Sequence, residues 1–302
     1  MNSQRKYVFA FEDGDGHDKM LLGGKGANLC EMTQIGINVP PGYVIRTEAC
    51  LYYLDNADND LPAGVMDEVR VQMRALEEKT GKTFGGSDNP LLVSVRSGSA
   101  MSMPGMMDTI LNLGLNIETL KGLIAQTGNE RFGWDAYRRF IQLFGKVALG
   151  VPDEAFDAEF EAVKEKSGVK QDVALTARDL REISDRFLDV VERETGKAFP
   201  DDPMEQLEIA IKAVFDSWMG KRAVDYRREF NITPEMANGT AVNLCTMVFG
   251  NLGDDSATGV GFTRYPDTGE NRLFGEYLVN AQGEDVVAGI RTPKPIDMLE
   301  QE

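Results

Sequence analysis

Between Pro90 and Asn116 the chain reads PLLVSVRSGSAMSMPGMMDTILNLGLN, a buried-looking strand, one Arg and a Gly/Met-rich loop in immediate succession. Leu91, Leu92, Val93 and Val95 read as a short apolar strand, with Arg96 at its end where Ser97-Gly98 breaks the pattern. An Arg fixed at a strand end and followed by small residues suits an anion. Its guanidinium fork bonds phosphate bidentately, and small residues let backbone N–H groups approach. The competing reading is an ion pair, since the chain holds 49 Asp and Glu residues.

A second segment points the same way. Residues 21–32, LLGGKGANLCEM, place Gly23, Gly24 and Gly26 around Lys25 and lead into a helix expected over Gly26–Ile35. A lysine on a glycine turn at a helix N-terminus suits phosphate, because helix dipole and side chain both favour the anion. The turn is not a Walker A loop: no Gly stands five residues before Gly24, and Ala27 is neither Ser nor Thr. Nor is it G-x-G-x-x-G, since Leu29 lies three after Gly26. Alone it is a weak signal and reads better as a helix-initiating turn.

Taken in order, GGKGANLCEM, PGYVIRTEA, SVRSG…SMPGMMDTILNLGLN, GTAVN…TMVFGN and GEYLVNAQGEDVVAGIRTP resemble the nucleotide-binding region of the pyruvate, phosphate dikinase family. The likeness runs from about Tyr7 to Pro295, and SMPGMMDTILNLG separates it from phosphoenolpyruvate synthases, whose loop after the shared SVRS differs. The resemblance implies an α+β fold. The chain is expected to be an ATP-grasp-like N-terminal region of two α/β subdomains with an inserted helical subdomain, truncated at the C-terminus. It further implies that Lys25 and Arg96 bind ATP phosphates, that the loop holding Gly105 and Thr109 lies over them, and that the AVNLCTMVFG strand, with Cys245 and Met247, meets the adenine. Relatives carry Gln where this chain has Cys245, and a thiol reads adenine less well than an amide.

The family passes a phosphoryl group from ATP through a histidine on a separate domain, yielding AMP, diphosphate and phosphoenolpyruvate from ATP, pyruvate and phosphate. The only histidine here, His17, sits in a Gly/Asp turn and reads as a surface residue. The same turn lacks the spacing of a calcium loop. Mg2+ is expected as a cofactor with its ligands largely outside this chain, after Pro295, and Glu302 as the end of a fragment inactive alone. Glu276 in GEYLVN could hold a cation or an Arg, but reads better as a solvated strand residue. ATP is the expected partner, with pyruvate and phosphate acting only through a full-length enzyme, for which a homodimer is one expected state. The alternative is a non-catalytic nucleotide-binding or interaction module derived from that enzyme.

Bulk properties narrow the setting. A formal charge of -17 argues against nucleic acid or an anionic membrane as partner. Three cysteines, Cys30, Cys50 and Cys245, form no C-x-x-C pair, so neither a disulfide framework nor a zinc site is expected and a reducing cytoplasm is the natural compartment. No window is apolar enough to span a bilayer, and the apolar run near the N-terminus is too short for a signal peptide.

Along the chain, 302 residues call for two or three subdomains. Residues 1–116 are expected as a first α/β nucleotide-binding subdomain, with strands at Tyr7–Glu12, Gly42–Arg46 and Leu91–Val95 and a helix at Val65–Thr80. Residues 117–199 read as a helical subdomain and 200–238 as helices returning to the first. Residues 239–302 read as a partial β-rich second subdomain, with strands at Ala241–Phe249, Thr258–Thr263 and Leu273–Asn280. The apolar stripes of the middle helices, such as Phe132/Phe140/Phe144, are expected to pack the core. Thr176 and Asp179 form an expected capping box.

Overall fold

The computed structural model describes residues 5–287 and 291–301. Met1–Gln4, the residues 288–290 of the GEDVVAGIRTP string and Glu302 lie outside the described residues. The fold is α+β, and the chain divides into two compact units, Met1–Met247 and Val248–Glu302.

The first unit begins with β1 (Val8–Ala10), α1 (Lys19–Gln34), β2 (Gly42–Ile45), α2 (Thr47–Asp55) and α3 (Val65–Thr80). The short β3 (Thr83–Phe84) and β4 (Pro90–Leu91) pair in parallel, and β5 (Val93–Gly98) and β6 (Thr109–Leu113) follow. Six helices come next: α4 (Ile117–Thr127), α5 (Glu130–Ala148), α6 (Asp153–Ser167), α7 (Ala177–Thr195), α8 (Pro203–Ser217) and α9 (Lys221–Glu229). The unit closes with β7 (Ala241–Thr246).

Local chemistry sets many of these boundaries. Asn116 and Thr119 form a capping box at α4, Asn129 accepts from the Phe132 N–H at α5, and Thr176 with Asp179 caps α7 as its sequence predicts. Gly128, Gly168 and Gly196 end α4, α6 and α7 in the left-handed conformation, which glycine adopts without steric cost. The expected stripes are buried: Phe132, Phe140 and Phe144 on α5, Leu180, Ile183 and Phe187 on α7, and Leu207, Ile211 and Val214 on α8.

Five strands form one antiparallel sheet in the order β1-β2-β7-β5-β6. The last strand of the unit, β7, therefore enters near the middle, between β2 and β5, after the whole helical stretch has intervened. Almost every β7 residue is buried, as befits a strand covered on both faces. The sequence grouped Ala241–Thr246 with the residues that follow. In the structure long-range pairing binds them into the first sheet, and the compact units divide after Met247.

Three other boundaries differ from expectation. Arg96 is not at a strand end, because Ser97 and Gly98 continue the ladder opposite Val242 and Ala241. Thr109 is not in a loop but opens β6. The helix expected from Gly26 begins at Lys19 and is kinked at Gly23, whose backbone is non-helical.

The second unit holds β8 (Ala257–Phe262), β9 (Phe274–Val279), a short α10 (Gly283–Val287) and β10 (Lys294–Pro295), followed by a 3-10 turn at Ile296–Gln301. Its strands form a three-stranded antiparallel sheet in the order β10-β9-β8. Glu276 is exposed on β9, as a solvated strand residue would be.

Candidate functional site

Strand alternation places the candidate residues before any contact is considered. Asn243, Cys245 and Met247 are two apart along β7 and its continuation, so their side chains share a face. Arg96 lies opposite both Asn243 on β7 and Thr109 on β6, and Cys245 lies opposite Ser94 and Gly42. Residues directly opposite on antiparallel strands project to the same side. Arg96, Thr109, Asn243, Cys245 and Met247 therefore belong to one face of the sheet, and α1 packs there through Leu22, Ala27 and Cys30 against Val44, Ala241 and Cys245.

The glycines let α1 come close. Gly23 has φ 69 and ψ 159, and a Cβ there would lie 1.9 Å from the Gly98 carbonyl oxygen. The Gly24 N–H donates to the Ser99 carbonyl at 2.8 Å. A Cβ on Gly26 would meet the Asn243 Oδ1 at 2.7 Å, and one on Gly98 would meet the Asn243 Nδ2 at 2.6 Å and the Lys25 Cβ at 3.2 Å. The Asn243 amide thus occupies the space that two missing side chains leave between helix and strand. It is fully buried, its Nδ2 donates to the Arg96 carbonyl at 3.4 Å, and its Oδ1 has no partner.

Lys25 stands two residues past the Gly23 kink, and its Nζ donates to the Ser97 carbonyl at 3.1 Å. One of three ammonium protons is thereby used. Although Lys25 stays exposed at its surface, burial by surrounding protein lowers its pKa below the ordinary 10.5. The Arg96 guanidinium lowers it further. Burial likewise pushes the Cys245 thiol up to about 11, partly offset by Arg96 and Lys25. Lys25, Arg96 and Cys245 are therefore close enough to feel one another. Among the described residues no carboxylate pairs with Lys25 or Arg96, so the ion pair that sequence left open for Arg96 is not formed.

Beyond Gly98 the chain leaves the sheet for the Gly/Met-rich loop and returns at Thr109. Gly105 sits in this loop with φ 73 and open space where a Cβ would be. Arg222 on α9 reaches it, donating to the Gly105 carbonyl at 3.3 Å and to Asp108 Oδ1 at 2.9 Å.

The fold thus gathers Lys25, Arg96, Thr109 and Cys245. Met247 lies on the same face at the far end of β7, about 13 Å from the Asn243 rung at ~3.3 Å per residue. Gly105 stands apart in the loop. Sequence reasoning singled out neither Asn243 nor Arg222. A polar residue between Val242 and Leu244 in a buried run was the available sign of the first, and nothing local marked the second. His17 is exposed in its turn.

A family model described as "Pyruvate phosphate dikinase, AMP/ATP-binding domain" matches residues 19–63 and 57–302. The chain is 61% identical over 295 residues to pyruvate, phosphate dikinase of Entamoeba histolytica, covering 98% of this chain and 33% of the relative. It is 51% identical over 298 residues to pyruvate, phosphate dikinase of Clostridium symbiosum, covering 98% and 34%. The chloroplastic pyruvate, phosphate dikinase 1 of Arabidopsis thaliana is 51% identical over 301 residues, covering 98% and 31%. The chain spans about a third of the length of these relatives.

Proposed function

The chain belongs to the pyruvate phosphate dikinase AMP/ATP-binding domain family, and from that premise we propose that Lys25 and Arg96 hold the phosphates of ATP. The observation that carries this reading is the placement of Lys25 on α1 and Arg96 on the sheet face that α1 covers, with no carboxylate counter-ion among the described residues. Burial and then the Arg96 guanidinium disfavour the charged form of Lys25, a cost to the empty chain that an anion placed between the two cations removes.

In this reading the Lys25 ammonium keeps its bond to the Ser97 carbonyl and offers its remaining protons to phosphate oxygens. Arg96 presents its fork from the one exposed position of the otherwise buried β5. Backbone N–H groups near Gly105 and the Thr109 hydroxyl cover the phosphates from the loop side. Cys245 and Met247 continue along the same face toward the base, with the buried, protonated Cys245 thiol contributing packing more than a polar contact. The ATP-grasp arrangement belongs to this proposal and rests on the resemblance.

Mg2+ would arrive with the nucleotide. The resemblance places its protein ligands largely outside this chain. Within a full-length enzyme, the chain would present ATP for transfer through a histidine elsewhere, with AMP, diphosphate and phosphoenolpyruvate formed from ATP, phosphate and pyruvate. A match to an AMP/ATP-binding domain over nearly the whole chain favours this reading over a non-catalytic interaction module. Three free, buried cysteines accord with a reducing compartment, for which we propose the cytoplasm. No helix among the described residues is long and apolar enough to cross a membrane.

Calorimetric titration of the chain with Mg-ATP tests the proposal. Saturable binding that weakens at least about tenfold in both Lys25→Ala and Arg96→Ala is expected, since a charge-assisted bond contributes roughly 1.5–3 kcal/mol. Binding that is indifferent to both substitutions would place the phosphates elsewhere.

A further inference from the structure

We propose that Arg222 is a positioning residue that fixes the Gly105–Asp108 segment of the loop in the form that receives phosphate. This rests on the ATP-binding reading of the Lys25–Arg96 face.

Arg222 stands in the first turn of α9, more than a hundred residues from the loop in sequence. Its Nη1 donates to the Gly105 carbonyl at 3.3 Å and its Nη2 to Asp108 Oδ1 at 2.9 Å. One planar guanidinium therefore spans both ends of a four-residue segment, which a lysine ammonium matches poorly. Little else holds this part of the loop. Its backbone makes one internal turn, Met106 N–H to the Met103 carbonyl at 3.2 Å, and the Asp108 carbonyl accepts from the Ser97 N–H at 3.4 Å. Among the described residues, Arg222 is the only side chain from outside the loop that hydrogen-bonds to residues 102–108.

The tether matters because of where the segment ends. Asp108 precedes Thr109, and Thr109 faces Arg96 across the β5–β6 ladder. Fixing Asp108 therefore fixes the return of the loop beside the phosphate-binding cation. Fixing the Gly105 carbonyl holds the left-handed turn at φ 73, which would otherwise exchange among the many conformations open to glycine. A loop ordered beforehand spares the nucleotide the entropic cost of ordering it. Lys221, beside Arg222 in sequence, instead pairs with Asp225 on its own helix and serves as the neighbouring control.

The experiment compares the chain with Arg222→Ala, Arg222→Lys, Lys221→Ala and the charge-swapped pair Arg222→Asp/Asp108→Arg. It reads hydrogen exchange of the 103–108 amides without ligand and Mg-ATP affinity by calorimetry. Arg222→Ala is expected to speed exchange in that segment and to weaken ATP about threefold, the scale of an exposed pair. Lys221→Ala leaves both unchanged. Arg222→Lys lies between, and the swapped pair recovers only the share carried by the ion pair, because a carboxylate at position 222 cannot donate to the Gly105 carbonyl. Exchange in Arg222→Ala at the rate of the parent chain would overturn the proposal, as would unchanged affinity in a loop that has become mobile. If the parent chain itself takes up no ATP, the binding reading fails, and the exchange comparison still decides whether Arg222 holds the loop.

Discussion

Lys25 and Ser97 are joined by a hydrogen bond of 3.1 Å from the ammonium to the main-chain carbonyl. The bond links a residue two past the α1 kink to the residue after Arg96, so both cations are referenced to the same stretch of β5. Because the acceptor is a carbonyl and not a carboxylate, the ammonium is oriented without being neutralised. This is the electrostatic condition for a site that awaits an anion.

Removing the Lys25 charge should therefore separate stability from binding. Lys25 titrates below 10.5 in the folded chain, chiefly through burial and then through Arg96. Between its folded pKa and 10.5 the unfolded chain binds more protons, so this group's contribution to stability rises with pH across that window. Below the window its charge is a standing penalty, kept modest by solvent at an exposed side chain. Lys25→Met is expected to raise the urea midpoint slightly at pH 7 in the absence of nucleotide, with the gain fading toward pH 10.5, while ATP affinity falls at least about tenfold. A lower midpoint for the variant at pH 7 would sink the idea.

Two glycines with nearly the same φ should respond very differently to a methyl group. At Gly23 the new Cβ would lie 1.9 Å from the Gly98 carbonyl oxygen, so α1 must move off β5. At Gly105 the Cβ meets nothing within 4 Å, and only the left-handed backbone is penalised. Gly23→Ala is expected to lose more than about 3 kcal/mol, and Gly105→Ala about 1 kcal/mol. Equal losses in chemical denaturation would mean that the close approach of α1 does not hold.

How much of this was visible beforehand depends on whether the determinant is local. The helix at Val65–Thr80 and the Thr176–Asp179 cap follow from apolar periodicity and nearby hydrogen-bonding groups, and both appear as expected. The two cations were legible because each sits in a short segment of unusual composition. Thr109–Leu113 was not recognised as a strand because the Gly/Met-rich string before it dominates the local signal. Ser97-Gly98 weakens strand propensity, so the sequence reads Arg96 as a strand end, whereas pairing with β7 carries the ladder through both. The central position of β7, the Asn243 amide between Gly26 and Gly98, and the reach of Arg222 to the loop arise only when distant segments meet. No window of sequence contains them.

The helical stretch has its own buried ion cluster, which should govern acid stability. Asp135 on α5 pairs with Arg138 at 2.8 Å and Arg139 at 3.0 Å, and Arg138, only 6% exposed, lies over the Phe160 ring. Burial alone would raise the Asp135 pKa, but Arg138 and then Arg139 outweigh it and hold the carboxyl below 3.8. Its contribution is therefore complete above pH 3.8 and is lost as pH falls through the depressed value. Asp135→Asn leaves the Arg138 charge buried without its nearest carboxylate and is expected to cost about 3–5 kcal/mol in urea denaturation at pH 7. A loss below about 1 kcal/mol, the range of exposed pairs, would show that the cluster is solvated.

The cysteines offer a readout of the site itself. Burial raises Cys30 to about 11, Cys50 to about 12 and Cys245 to about 11, from 9.0 when unfolded. Each therefore stabilises the fold fully below pH 9 and ceases to as pH rises through its folded value, the opposite trend to Lys25. At pH 8 a two-unit rise lowers the thiolate fraction about a hundredfold, so all three should react slowly with iodoacetamide. Only Cys245 has Lys25 and Arg96 lowering its pKa. A polyphosphate that neutralises those cations should slow Cys245 alkylation further, with a smaller effect at Cys30 and Cys50. Mass spectrometry of the alkylated peptides with and without Mg-ATP distinguishes the cases. Equal protection of all three thiols would mean that ATP acts only by stabilising the whole fold, whereas selective protection of Cys245 locates the phosphates at the face it shares with Arg96.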